Sequence, residues 1–149
     1  MHKHVAKLVQ RIVANAIIRW ANPAEYFLIR FQMTIDDLLK AVRTAPESIE
    51  FTEVIDVIAN NYTYSPTTFY NGELKNQAGT NEGSCKIFYF AQINQLSEME
   101  TLALFGHYYR DDVMGNPEGD DHGNIRNFIL DGWLGIRFEG EALAPIVQH

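Results

Sequence analysis

The densest run of side chains able to do chemistry lies between Tyr108 and Asn127: Arg110, Asp111, Asp112, Glu118, Asp120, Asp121, His122, Arg126 and Asn127. His107 and Asp111 stand four residues apart and share a face if that segment is helical. With His122 they supply the imidazole and carboxylate ligands that iron, manganese or zinc accepts. Their spacing matches neither HExxH nor another recognised metal motif. The competing reading is structural: Arg110 and Arg126 pair with the aspartates, Asp121 caps a helix, and His122 is solvated beside it. On a functional reading, Arg110, Asp112, Asp121, His122 and Arg126 are the candidate binding residues. The Gly- and Pro-broken loop Met114–Asp120 joins two expected helices there, and helix ends expose unpaired N–H groups to small or anionic ligands.

Cys85 offers a second chemistry. It follows Gly83–Ser84 at an expected helix start, where the helix dipole and Lys86 would favour the thiolate. His107 or His122 could serve as base, with Asp121 or Asp112 orienting it, which is the logic of a cysteine-dependent hydrolase or transferase. The alternative is a small core residue inside the apolar run Cys85–Ile93. Gly79–Lys86 (GTNEGSCK) lacks the Gly-Lys-Ser/Thr ending of a nucleotide loop and leaves only a loose anion-binding option at the Ser84 backbone with Lys86. No motif calls for a cofactor, and Trp133 and the tyrosines read as packing residues.

Periodicity predicts the helices and strands that carry these groups. Val5, Leu8, Val9, Ile12, Val13, Ala16, Ile17 and Trp20 recur at helical steps, with Pro23 as the stop. That basic amphipathic helix could pack on its own domain, act as a leader, lie on an anionic surface or dock on a partner. Thr34 with Asp37 makes an acidic capping box for a helix carrying Ile35, Leu38, Leu39 and Val42, which Pro46 closes. Phe51, Val54, Ile55 and Ile58 form the stripe of the next helix, ending near Asn60 and Asn61. Tyr62–Tyr70 suits strands, and Asn71–Gly72 is a type I′ hairpin signal. Ser84 is the expected N-cap of a buried helix over Cys85–Ile93. Ser97 and Glu100 cap a helix continuing through Leu102, Phe105, Gly106, Tyr109 and Val113. Asp121 is the expected cap of a helix with Ile125, Phe128 and Ile129, ended by Gly132, before a short strand at Gly135–Phe138.

The whole chain fits one globular domain: 149 residues, 46% apolar and 21% charged. The net charge of −7 argues against a nucleic-acid partner, and the single cysteine excludes an internal disulfide or a multi-thiolate zinc site. No apolar run is long enough for a transmembrane segment. Residues 1–32 carry a net +4 and residues 33–149 a net −11. That break divides the chain into an N-terminal basic amphipathic extension, 1–32, and a body, 33–149, with Met1 and Met33 both candidate starts.

The body resembles the HopJ type III effector family. The resemblance is carried by Phe69–Gly72 (FYNG), Asn76–Lys86 (NQAGTNEGSCK), Leu96–Arg110 (LSEMETLALFGHYYR), Asp112–Val113, Asn116–Phe128 (NPEGDDHGNIRNF), Gly132–Trp133 and Phe138–Leu143 (FEGEAL). It implies a compact, largely helical bacterial protein, cytoplasmic or exported by a type III system, with no established reaction. Residues 1–32 fall outside it and contain no serine, whereas export signals of this class are usually serine-rich. The expectation is a mainly α fold with minor β: a compact helical domain with a small hairpin or extended arm, preceded by an amphipathic helix. Its function is that of a binding or interaction protein with an unidentified protein or small-molecule partner. The alternatives are the Cys85-dependent enzyme and the His107, Asp111, His122 metal site.

Overall fold

The computed structural model of the chain describes residues 32–147, so the expected helix over 1–32 lies outside the described residues. Thr34 opens α1 (Ile35–Thr44) with both halves of the capping box in place: its hydroxyl accepts from the Asp37 N–H, and the Asp37 carboxylate accepts from the Thr34 N–H. Pro46 starts a short 3-10 turn to Ser48 rather than continuing the helix. α2 (Phe51–Asn61) buries Val54, Val57 and Ile58. It runs directly into β1 (Tyr62–Tyr64), which pairs antiparallel with the C-terminal β5 (Leu143–Pro145).

β2 (Phe69–Asn71) and β3 (Leu74–Asn76) form the expected hairpin. Its turn differs from the sequence expectation. Asn71 pairs with Leu74, which puts Gly72 and Glu73 at the centre, and only Gly72 has a positive φ, +61°. That is the type II′ pattern, with glycine at the first central position, and not the type I′ pattern centred on Asn71–Gly72. Nor is the hairpin a free arm: β4 (Ile136–Phe138) adds to β2 and completes a three-stranded antiparallel sheet in the order β3-β2-β4.

α3 (Glu82–Ile93) is the centre of the core. Cys85, Ile87, Phe88, Phe90 and Ala91 are all buried and span most of the helix circumference, while Lys86 and Tyr89 are half-buried and Gln92 and Ile93 exposed. A helix buried over most of its circumference shows no narrow amphipathic stripe, which explains why this stretch has no clean period. The Phe88 ring packs on Phe69, Phe105 and Phe128 at centroid distances of 4.9–6.0 Å. The helix starts at Glu82 with a left-handed Asn81 as N-cap, three residues before the expected Ser84 cap.

Ser97 and Glu100 form the expected capping box of α4, but α4 (Glu98–Ala103) is shorter than expected. Gly106 adopts φ +60°, and a Cβ there would lie 2.8 Å from the Phe51 nitrogen and 3.1 Å from the Ile49 oxygen. The chain must turn left-handed against that backbone, so the helical spacing from Leu102 to Val113 spans a break. Beyond the break the chain forms a π-helical turn, Tyr108–Val113, in which the Met114 N–H donates to the Tyr109 carbonyl five residues back. α5 (Gly123–Asp131) then runs to Gly132, whose φ of +62° ends it as expected. The fold is mainly α with minor antiparallel β. Among the described residues no helix is long and apolar enough to cross a membrane.

Candidate functional site

Three helices bring their first turns to one cavity of about 350 Å³. α2 contributes Phe51, α3 contributes Gly83 and Ser84 with its N-cap Asn81, and α5 contributes Gly123, Asn124 and Ile125 with its N-cap His122. Tyr108 of the π turn and Phe105 complete the wall. Asn81 and His122 are both left-handed, with φ of 50° and 51°. Neither side chain caps the helix it precedes. The first amides of α3 and α5 therefore carry no side-chain acceptor of their own. His122, not Asp121, is the N-cap of α5, which corrects the expected assignment.

Asparagine side chains hold these helix starts from behind. Asn124 is 6% exposed, and Asn71 and Asn76 are essentially buried. Asn71 and Asn76 each donate to the Asn124 side-chain oxygen at 3.1 Å, and Asn124 donates back to Asn76 at 2.9 Å. Asn71 also donates to the Asn124 carbonyl at 2.8 Å, and Asn81 donates to Asn76 at 2.7 Å. This network ties the hairpin strands β2 and β3 to the N-termini of α3 and α5. One atom in it, Asn71 Oδ1, is buried without a partner.

On the rim, His122 Nε2 lies 2.9 Å from an Asp112 oxygen and 3.8 Å from an Asp121 oxygen. Tyr108 lies between two imidazoles, with ring centroids 4.2 Å from His107 and 5.1 Å from His122. Arg126 grips the preceding loop. It donates to the Asp121, Asn116 and Pro117 carbonyls and to the Asp121 carboxylate. Gly119 makes room for it, since a Cβ there would lie 2.6 Å from the guanidinium. The Arg126 bond, with further help from the His122 charge, holds the Asp121 carboxyl below its usual value.

Not all the expected site residues meet. Asp112, Asp121, His122 and Arg126 do. Arg110 is turned away: it donates to the Ile49 carbonyl at 2.7 Å and pairs with Glu50 at 3.5 Å instead of with an aspartate. His107 faces Glu50 at 4.0 Å and Asp111 is exposed, so neither joins His122. The stripe that reaches His122 is Tyr108 and Asp112, one residue along from the His107 and Asp111 pair. The one group of three potential ligands among the described residues is accordingly Asp112, Asp121 and His122, whose ligand atoms all lie within 4.8 Å of one another.

Cys85 sits elsewhere, 1% exposed, with its sulfur 3.6 Å from the Thr67 carbonyl. Burial pushes its thiol pKa up, and the groups that bear on its titration are Tyr64, Thr67, Glu82 and Lys86, with no histidine among them. Its environment suits a protonated core thiol. The Tyr64 hydroxyl beside it is buried without a hydrogen-bond partner.

Asn81, Asn124, Phe51 and Tyr108 escape prediction from sequence. The available signal is polar residues at buried positions: Asn124 lies one helical turn before the buried Phe128, and Asn71 and Asn76 are the buried last residues of β2 and β3.

The HopJ type III effector protein family matches residues 35–143. A crystal structure of a protein of unknown function, VPA0580, is 46% identical, covers 78% of this chain and 97% of its own, and superposes with a TM-score of 0.76. A search of curated proteins finds no match.

Proposed function

The chain belongs to the HopJ type III effector protein family, and from that premise we propose that it is a binding protein whose partner is a small molecule bearing an anionic group. The observation that carries this reading is the cavity at the starts of α3 and α5, neither of which has a side-chain cap. Each helix start presents unpaired N–H groups and the equivalent of roughly half a positive charge. Two of them at one cavity make a place for an anion in a chain whose net charge is −7. Phe51, Phe105, Tyr108 and Ile125 supply an apolar wall for the rest of the ligand. A small ligand fits this better than a nucleic acid, because the attraction is confined to one cavity in an acidic protein.

The buried, protonated Cys85 gives the cysteine-dependent hydrolase or transferase no support. The division into an extension, 1–32, and a binding domain, 33–149, belongs to the same proposal. So does a bacterial protein, cytoplasmic or exported by a type III system, which rests on the family and not on the site.

Titrating the full chain with inorganic phosphate and with phenyl phosphate, read by amide NMR shifts, tests the reading. The expected result is saturable movement of the Gly83, Ser84, Gly123 and Asn124 amides, with phenyl phosphate the tighter ligand. Shifts scattered over the surface, or none at millimolar ligand, would end it.

A further inference from the structure

We propose that Asp112, Asp121 and His122 form a binding site for a divalent cation of the zinc or manganese class on the rim of the cavity. The inference goes beyond the anion reading and does not depend on it. Three ligand atoms from two separate segments converge there: Nε2 of His122 lies 2.9 Å from Asp112 Oδ2 and 3.8 Å from Asp121 Oδ2. Ligands bonded to one ion at about 2.0–2.2 Å stand about 3 Å apart at a right angle and about 4 Å apart when nearly opposite. The two separations from the imidazole fall in that window, and all three ligand atoms lie within 4.8 Å of one another, so a modest closing of the two aspartates on the imidazole would complete the set.

Proton counting points the same way. His122 has one Nε2 proton at most, and it faces two carboxylate oxygens. At 2.9 Å it serves Asp112, and Asp121 Oδ2 at 3.8 Å is beyond a hydrogen bond. A cation in the place of that proton serves all three groups at once. The surrounding bonds hold the ligands for it. Arg126 takes the other Asp121 oxygen and the Asp121 carbonyl, and the Tyr108 ring packs against the imidazole at a 43° tilt. Arg126 and the start of α5 oppose a cation, and the two carboxylates offset them. One nitrogen with two oxygens selects zinc, manganese or iron over calcium and magnesium, which prefer all-oxygen shells.

Calorimetric titration of the full chain with Mn²⁺, Zn²⁺ and Ca²⁺, with no anion ligand present, tests the site. The expected result is one site for Mn²⁺ and Zn²⁺ and a much weaker response to Ca²⁺. Asp112→Asn and His122→Asn should each raise Kd about tenfold or more, and asparagine tolerates the left-handed backbone of position 122. Asp111→Asn and His107→Asn should leave Kd unchanged. In the wild-type protein, trace Mn²⁺ should broaden the NMR signals of residues 112, 121 and 122 first, a readout that needs no variant to fold. Absence of binding, broadening centred elsewhere (the sequence also offers His2 and His4), or equal Ca²⁺ affinity unaffected by His122→Asn would each overturn the proposal.

Discussion

The start of α4 and the start of α5 solve the same problem in opposite ways. At α4, Ser97 and Glu100 bond reciprocally to the first amides, and the helix closes its own end within four residues. α1 does likewise with Thr34 and Asp37. At α5, and equally at α3, the N-cap is left-handed, no side chain turns back, and residues of the first turn line a cavity. The restraint comes instead from distant segments, through the asparagine network anchored on β2 and β3. A locally closed helix end contributes to stability and leaves little for a ligand. An end held from behind can keep its donors free, at the cost of depending on contacts far away in sequence.

The sharpest way to break this contrast is Asn124→Ala. It removes three buried side-chain hydrogen bonds at once, each worth about 1 kcal/mol, and strands part of the network, for an expected loss of about 3 kcal/mol in a denaturant melt. A loss no larger than that of an ordinary surface substitution would mean the asparagines do not hold the open ends.

A smaller effect separates the two kinds of cap directly. Ser97→Ala should cost about 1 kcal/mol, because its hydroxyl accepts from the Glu100 amide. His122→Gly loses a half-exposed pair with Asp112 and gains freedom from left-handed strain, so its net change should stay within about 0.5 kcal/mol. Thermal melts of the two variants side by side decide this. Equal losses would erase the distinction.

The smallest expected effect is on pH dependence. The Ser97 backbone N–H, with the Ser97 hydroxyl and Arg43, holds the Glu100 carboxyl below its ordinary 4.5. The stabilisation is therefore complete above that ordinary value and is lost as pH falls through the depressed folded value. Glu100→Gln should flatten part of the acid-side decline in Tm. The part that remains includes Asp121, whose carboxyl is lowered by Arg126 at the open end.

The same contrast explains which features are legible in the sequence. Both capping boxes, the stop at Pro46 and the end of α5 at Gly132 depend on residues a few positions apart, and all can be read directly. The open ends cannot. Ser84 and Asp121 look like caps, yet Asn81 and His122 take those places because the hairpin and the loop dictate the entry of the chain. The break at Gly106 exists because the backbone of Ile49 and Phe51 lies against it, more than forty residues back. β1 pairs with β5 across most of the domain, a partner no local pattern names. For the candidate site, residue types in the stretch from Asp112 to Arg126 point to the segment in which Asp112, Asp121, His122 and Arg126 meet. The choice of Asp112 over Asp111 depends on the face presented by a π turn, which sequence spacing read as an α-helix does not reveal.

The loop Met114–Asp120, with its two glycines and a proline, has the composition of a flap. Arg126 binds three carbonyls over Asn116–Asp121 and the Asp121 carboxylate, so the loop behaves as a bracket. Swinging the loop out would break these bonds together, so entry to the cavity is expected to need no opening step on that side. If the cavity takes the proposed anionic ligand, exchange on that side would be set by encounter and by the strength of the contacts made, and single-phase association with short residence times is the expected kinetic signature.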